Sequence, residues 1–194
     1  MSGPEKPDQH ELRTLVARAQ SGDPRAFENI LVLYQHGLLR FCRSMINSSG
    51  EAEDVLQEVY LSAWRQLSTL QSPEALSVWL YRIARHRCID HLRKRTPLPQ
   101  DFHDEEGNPG PRQVLEPRAN ASLESSAETR AAIVELRRFV NELPATQREC
   151  WVLKEVHDLS YSDISKIVSA PLTTVRGRIA RARVTLAERM QPWK

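Results

Sequence analysis

Helix-start signals recur along this chain, and almost no stretch alternates apolar with polar residues as a half-buried strand would. Proline begins an apolar run at Asp23-Pro24, Ser72-Pro73 and Leu143-Pro144. Ser160, with Asp163 three residues later, is a variant of the capping box. Only seven glycines occur in 194 residues. The sequence therefore predicts an all-α protein built from several medium-length helices.

A proline-rich, acidic stretch divides the helical segments into two groups. Five prolines lie between Thr96 and Glu128, and seven acidic residues stand against three arginines between Thr96 and Arg130. A stretch of this composition cannot bury enough apolar surface to order itself. We therefore expect two small helical domains, at residues 11–95 and 127–190, joined by a long flexible acidic linker at residues 96–126.

Apolar runs and cysteine spacing indicate the compartment. No run approaches 18 consecutive apolar residues, and the N-terminus is polar. Cys42, Cys88 and Cys150 lie far apart and form no C-x-x-C pair. We therefore expect a soluble cytoplasmic protein that does not insert into membranes and whose cysteines serve packing.

The net charge of +2 hides two basic segments. The second overlaps the segment from Leu159 to Arg183, which has the layout of a helix-turn-helix: a short capped helix, a break at Ser169 to Pro171 and a second helix. Arg82 to Arg95 and Pro171 to Lys194 each hold six cations and one anion. In the latter, one helical stripe is apolar and should pack inward: Val175, Ile179, Ala182 and Leu186. This leaves small residues outermost with arginines on both flanks: Thr173, Gly177, Ala180 and Val184 beside Arg176, Arg178, Arg181 and Arg183. Such a surface suits the major groove of DNA, and the alternative is a solvated basic helix.

The segment from Glu51 to Leu67 carries a candidate docking face. Its inward stripe is Leu56, Val59, Ala63 and Leu67. The opposite stripe holds Asp54, Glu58, Leu61 and Arg65, with Gln57 and Trp64 beside it. Large apolar residues among carboxylates indicate a protein-binding face, and the alternative is an acidic surface with Trp64 turned inward.

The segment from Glu74 to Arg95 carries a candidate DNA-binding stripe. One face can pack inward: Leu76, Leu80, Ala84 and Cys88. A neighbouring stripe combines an aromatic ring, arginines and an imidazole: Trp79, Arg82, His86, Asp90 and Arg93. These side chains suit single-stranded DNA, whose bases stack on aromatic rings while its backbone follows cations. The alternative is that Trp79 belongs to the core.

No set of residues predicts catalysis, a metal site or a cofactor. His86, Cys88 and His91 lie close in sequence, but no fourth ligand has zinc-like spacing. The chain also lacks a phosphate-binding glycine loop and a nucleophile elbow. We therefore predict no enzyme activity, no bound metal and no cofactor.

Motifs in both halves resemble those of bacterial RNA polymerase sigma factors, and the reduced two-domain form resembles the extracytoplasmic-function (ECF) group. The resemblance covers about Glu11 to Arg95 and Ala127 to Met190 and leaves the linker unmatched. The motifs that carry it are Glu53 to Arg65, Trp79 to Ala84, Cys88 to Arg95, Leu143-Pro144, Leu159 to Tyr161, Thr174 to Arg176 and Arg181 to Arg183.

The resemblance implies a non-catalytic subunit that directs core RNA polymerase to promoter DNA. Docking on the polymerase would use Asp54, Gln57, Glu58, Leu61 and Arg65. Melting and reading the minus-10 element would use Leu70, Trp79, Arg82, Arg85, His86 and Arg93. Reading the minus-35 element would use Thr173, Thr174, Arg176, Arg178, Arg181 and Arg183. It also implies that the acidic linker runs through the polymerase cleft, and that an anti-sigma factor, often membrane-tethered, holds the protein inactive until a stress signal.

The sequence departs from the pattern of this family at several functional positions. His86 stands where many relatives carry asparagine; it still offers a donor and an acceptor but has a different shape, which leaves the preference at the minus-10 element open. Gly177 and Ala180 remove two potential base contacts on the recognition helix. Ser169 replaces the usual turn glycine, which strains the bend if that position needs a positive φ.

Two other functions are compatible with the same residues. An ordinary transcriptional regulator would bind a palindromic operator tightly without polymerase, using only the helix-turn-helix. A pure interaction protein would use its basic helices to bind an acidic partner instead of DNA.

Overall fold

In the computed structural model, residues 8–46, 48–95 and 127–191 are described. They form eight α-helices, two short 3₁₀ helices and no strand, which confirms the predicted all-α class. The α-helices are α1 (Gln9–Gln20), α2 (Pro24–Ile46), α3 (Ser49–Gln66), α4 (Leu76–Arg95), α5 (Ala127–Glu142), α6 (Ala145–Glu155), α7 (Tyr161–Val168) and α8 (Leu172–Arg189). The 3₁₀ helices are Leu67–Thr69 and Pro73–Ala75. The predicted linker at residues 96–126 lies outside the described residues.

The helices begin where the sequence signals predict. The Asp23 carboxylate accepts hydrogen bonds from the backbone N–H groups of Arg25 and Ala26, at 3.0 and 3.2 Å, at the start of α2. Ser160 Oγ accepts from the backbone N–H of Asp163 at 3.1 Å and caps α7. Such caps satisfy backbone donors that a helix leaves unpaired in its first turn.

The first four helices form an N-terminal group centred on α2, which packs against α1, α3 and α4. The predicted inward stripes of α3 and α4 are buried, with Val59, Ala63, Leu76, Leu80 and Ala84 fully shielded from solvent. They pack around the large side chains of α2, which removes apolar surface from water and stabilises the fold.

The last four helices form a C-terminal group in which α6, α7 and α5 each pack on α8. The predicted inward stripe of α8 is buried along its whole length, from Val175 to Leu186. Ser169 ends α7 in the left-handed conformation, with φ 55° and ψ 42°. Ser169 therefore has the positive φ at which the sequence predicts a strained turn, because a residue with a Cβ is disfavoured in that region.

The two groups are in direct contact: α4 packs on α7, and α2 packs on α6. Buried apolar residues of both groups belong to one continuous cluster. Polar contacts cross between the groups, among them Tyr81 to His157 and Arg85 to Glu149. The predicted domain boundaries therefore stay a prediction. None of the helices in the described part of the chain is long and apolar enough to cross a bilayer.

Candidate functional site

The outer side of α3 presents an acidic face, which we define as Asp54, Gln57, Glu58, Leu61, Trp64 and Arg65. All six side chains are exposed, with Leu61 at 58% and Trp64 at 40% of their full accessible surface. The Trp64 ring contacts the ring of Phe27, with 5.0 Å between the centroids. The alternative with Trp64 turned fully inward is therefore wrong, since the ring is anchored along one side and open on the other.

The carboxylates of the acidic face are free to meet a partner. Neither Asp54 nor Glu58 forms an ion pair with any residue that the structure describes. The neighbouring Glu53 differs, because it binds Arg43 of α2 at 2.8 Å. The face therefore combines an exposed apolar centre with uncompensated negative charge.

The exposed side of α4 presents a basic stripe, which we define as Trp79, Arg82, His86 and Arg93. Arg82, His86 and Arg93 are exposed, and Trp79 is half-buried against the core. Burial lowers the pKa of His86, and the nearby Arg85 and Arg82 lower it further. The imidazole is therefore neutral near pH 7 and offers one donor and one acceptor.

Two predicted minus-10 contacts do not lie at the surface. Leu70 is only 5% exposed, because the chain after α3 folds inward and the Leu70 carbonyl accepts a hydrogen bond from Gln20 Nε2 at 2.9 Å. Arg85 is 8% exposed, because its side of α4 faces the C-terminal group. Its Nε donates to Glu149 Oε2 at 2.8 Å. In this arrangement neither side chain is presented to solvent, and their role at the minus-10 element stays a prediction.

The outer side of α8 presents a recognition surface, which we define as Thr173, Arg176 and Arg181. All three are exposed, while Thr174 is half-buried. The Arg176 guanidinium lies 5.7 Å from the centre of the Tyr161 ring, close enough for a cation–π contact that directs the arginine.

Arg178 is buried and Arg183 is bound to a carboxylate, so the predicted minus-35 roles of both residues stay predictions. Arg178 is 5% exposed, because it lies three residues after Val175 and four before Ala182 and thus borders the inward stripe. It lies beside Cys150, whose pKa is raised to about 12 by burial and by Glu149, with Arg178 opposing. Arg183 is exposed, but its Nη2 donates to Glu155 Oε1 at 2.6 Å.

Sequence reasoning missed the residues that join the two groups: Tyr81, Glu149 and His157. Glu149 is fully buried although it is charged, and no feature of its own helix indicates which cation it binds. The described residues contain no group of three or more His, Cys, Asp or Glu side chains that could hold a metal ion.

Comparison with known proteins adds an independent line of evidence. Residues 31–97 match the family described as Sigma-70 region 2, and residues 133–186 match Sigma-70, region 4. The RNA polymerase sigma-H factor of Pseudomonas aeruginosa is 34% identical over 191 residues, covering 95% of this chain and 96% of that protein. The ECF RNA polymerase sigma-E factor of Escherichia coli K12 is 32% identical over 187 residues, covering 93% of this chain and 94% of that protein.

A solved structure agrees with these matches. The sigma factor RpoE from Bartonella quintana, solved in complex with the anti-sigma factor NepR, is 26% identical and superimposes with a TM-score of 0.67. The alignment covers 85% of this chain and 96% of the Bartonella chain. Both halves of the chain match the family, and the relatives are similar over nearly the whole chain. The chain belongs to the ECF-type RNA polymerase sigma factors, which direct the polymerase to promoters.

Proposed function

We propose that this sigma factor docks on core RNA polymerase through the acidic face of α3 and contacts promoter DNA through two separate surfaces. The basic stripe of α4 would engage the opened minus-10 element, and the recognition surface of α8 would engage the minus-35 duplex. The observation that carries the proposal is the acidic face itself, with an exposed Leu61 and Trp64 among carboxylates that have no ion-pair partner among the residues that the structure describes.

Docking would combine apolar contact with charge complementarity. Tryptophan is among the residues that dominate interface energetics, and Trp64 is held in place by Phe27. Asp54 and Glu58 lie one turn apart on α3, so they would meet a basic helix on the polymerase side by side. Complementary charge would speed the encounter, while the apolar centre would supply most of the affinity.

At the minus-10 element, α4 would stabilise bases that have left the duplex. Unstacking costs a few kcal/mol per base, and stacking on an aromatic side chain returns about 1–3 kcal/mol. Trp79 offers such a ring, and neutral His86 offers a donor and an acceptor to a base edge. Arg82 and Arg93, both exposed, would follow the phosphates.

At the minus-35 element, Arg176 and Arg181 would reach base edges in the major groove, and Thr173 would contact the backbone or a thymine methyl group. Arg183, already bound to Glu155, would serve as a weaker phosphate contact. Arg85 and Arg178 would contribute only after the conformation changes.

We assign the protein no catalytic activity of its own, because nucleotide addition belongs to the polymerase to which it binds. An anti-sigma factor is the second expected partner, since the related Bartonella protein was solved in complex with one. The proposal places this chain in the cytoplasm and assigns any membrane tether to that partner.

The experiment is co-purification of the tagged protein with core RNA polymerase, followed by run-off transcription on a library of promoters. Stable association and promoter-dependent transcripts would support the proposal and define both DNA elements. Tight binding to a palindromic duplex without polymerase would instead support an ordinary regulator. If this chain binds an acidic protein but does not bind DNA, the result would support the pure interaction protein.

A further inference from the structure

The connection between α3 and α4 leads directly into the basic stripe. It contains the two 3₁₀ helices, Leu67–Thr69 and Pro73–Ala75. The side chains of Leu67 and Leu70 are buried, and the Leu70 N–H donates to the Leu67 carbonyl at 3.2 Å. Hydrogen bonds in 3₁₀ turns have poorer geometry than those of an α-helix, and such turns are short for that reason. The shape of the connection therefore depends on contacts with a neighbouring element.

Gln20, the last residue of α1, binds the connection through its side-chain amide. Its Nε2 donates to the Leu67 carbonyl at 3.1 Å and to the Leu70 carbonyl at 2.9 Å. A primary amide nitrogen carries two N–H donors, so both donors are used. Both contacts are partly shielded from water, where a carbonyl that loses its donor is costly. Gln20 therefore holds the two ends of the first turn together.

A second contact from α1 reaches the other end of the connection. Arg13 lies two helical turns before Gln20, and its Nε donates to Glu74 Oε1 at 2.7 Å. Ser72 Oγ donates to Glu74 Oε2 at 2.7 Å. The hydrogen bond from Ser72, then a backbone N–H and then Arg13 lower the pKa of Glu74 from 4.5 to about 2, so its carboxylate stays ionised. The helix α1 thus contacts both 3₁₀ helices of the connection.

The position of the connection is passed on to the start of the basic stripe. Leu76 has a right-handed helical backbone, so Pro73–Ala75 continues into α4 without a break. Trp79, the first residue of the basic stripe, lies three positions later, within the first turn of α4. None of the residues that would contact polymerase or DNA belongs to α1, yet α1 fixes the segment from which the stripe begins.

We propose that Gln20 is a positioning residue for promoter opening, because it holds the connection in the shape that strand capture at the minus-10 element requires. A surface that is already formed receives an unstacked base without the entropic cost of ordering itself on binding. Arg13 supports the same arrangement through an exposed ion pair and contributes less. The role in opening rests on the proposed function, whereas the hold on the connection does not.

Hydrogen–deuterium exchange of the full chain tests this hold without polymerase or DNA. Gln20→Met removes both donors and keeps the length and the helix propensity of the side chain. Peptides covering residues 67–75 should exchange about two- to tenfold faster in this variant, the factor that corresponds to one net hydrogen bond. Gln20→Lys supplies donors again and should restore slow exchange. The matched control is Gln35→Met, because Gln35 is exposed on α2 and its side chain forms no hydrogen bond with the described residues.

Promoter opening is measured with reconstituted holoenzyme and a promoter that carries 2-aminopurine in the minus-10 element. The fluorescence rise should be about two- to tenfold slower with Gln20→Met and should recover with Gln20→Lys. Binding of the same holoenzyme to a minus-35 duplex should stay within about twofold of wild type, because α8 does not contact the connection among the described residues. General damage to the fold would weaken both steps, so unchanged duplex binding identifies positioning.

Equal exchange in wild type and Gln20→Met would overturn the hold on the connection. Faster exchange without slower opening would overturn the role in promoter opening, as would slower opening with Gln35→Met or no recovery with Gln20→Lys. If Gln20→Met does not fold, Gln20→Asn takes its place, because its shorter amide cannot reach both carbonyls. Wild-type holoenzyme that opens no promoter would contradict the proposed function instead, and the exchange experiment would still decide whether Gln20 holds the connection.

Discussion

The outer face of α3 and the basic faces of α4 and α8 differ in how well their sequences predict their exposure. On α3 the whole predicted face is exposed. On the basic helices, Arg85 and Arg178 are buried and Arg183 is bound to Glu155, whereas Arg82, Arg176 and Arg181 are exposed. The cause lies in packing, because α3 contacts its own group along one side, while α4 lies between two groups. Helical periodicity identifies the first buried face of a helix but not a second one.

Charged side chains on the helices of this molecule are consequently of two kinds, those available to a partner and those paired inside the fold. Asp54 and Glu58 have no ion-pair partner among the described residues, so their charge is available to another protein. Arg85 is compensated by Glu149, so its charge contributes to internal order. An ion pair that is this well buried costs desolvation, and it favours specificity of arrangement more than stability. Separate experiments can distinguish docking, DNA reading and the contact between the two groups.

The largest expected effect is on docking. Asp54→Ala/Glu58→Ala should weaken binding to core polymerase by roughly 30-fold or more, because both substitutions lie at the edge of the apolar centre. Binding is measured by biolayer interferometry with immobilised core polymerase. The matched control is Glu28→Ala/Glu188→Ala, which removes two exposed carboxylates from other helices. An equal loss in the control would mean that net charge, and not this face, drives association.

The second prediction compares two arginines of α8: Arg176, which is exposed, and Arg183, which is bound to Glu155. Arg176→Ala should weaken binding of the holoenzyme to the minus-35 element by about five- to 150-fold, which corresponds to about 1–3 kcal/mol for one base contact. Arg183→Ala should change it by about twofold, because its guanidinium is already bound to Glu155. Fluorescence anisotropy on promoters with single-base changes measures both. Equal effects would show that both arginines contact phosphates only.

The third effect concerns the interface between the groups. Burial, and next the charge of Arg40, lower the pKa of His157 from 6.5 to about 4. Its Nε2 is buried without a hydrogen-bond partner among the described residues, and its Nδ1 faces Tyr81. The unfolded chain therefore takes up a proton near pH 6.5 while the folded chain does not. The stability that neutral His157 provides is complete above pH 6.5 and is lost as the pH falls toward 4.

By pH 5.5 this linkage should remove about 1 kcal/mol of unfolding free energy. Urea unfolding between pH 4.5 and 8 measures it, and His157→Gln, which does not titrate, is the control. The difference between wild type and variant isolates His157 from other titrating groups, including His86. A pH dependence that is identical in both proteins would contradict the expectation.

Most of the fold follows from local sequence signals. The caps at Asp23 and Ser160 and the inward stripes of α3, α4 and α8 depend on residues within a few positions of one another. The acidic face of α3 could be predicted for the same reason, because none of the helices that the structure describes covers it. These features are set by neighbours along the chain, and a single sequence contains all of that information.

The contacts between the groups could not be predicted in the same way. Arg85 and Glu149 are 64 residues apart in the sequence. From the sequence alone, each of them would be interpreted as a charged surface residue. Leu70 is a different case, since its burial follows from where the chain turns after α3. The burial of Arg178 could have been predicted from helical spacing, because this residue lies between two inward positions of α8. Long-range pairing, not helix formation, is what the sequence left undetermined.

The smallest expected effect is at the turn that joins α7 to α8. Ser169 is left-handed, with φ 55°, and its exposed side chain has no described hydrogen bond. Ser169→Gly should therefore stabilise the protein by about 0.5–1 kcal/mol, because glycine adopts this conformation without a Cβ penalty. Thermal unfolding should show a rise of about 1–4 °C, while Ser169→Ala, which keeps the Cβ, should give none. A lower melting temperature for Ser169→Gly would mean that the added chain entropy of glycine in the unfolded state outweighs the strain that is relieved at the turn.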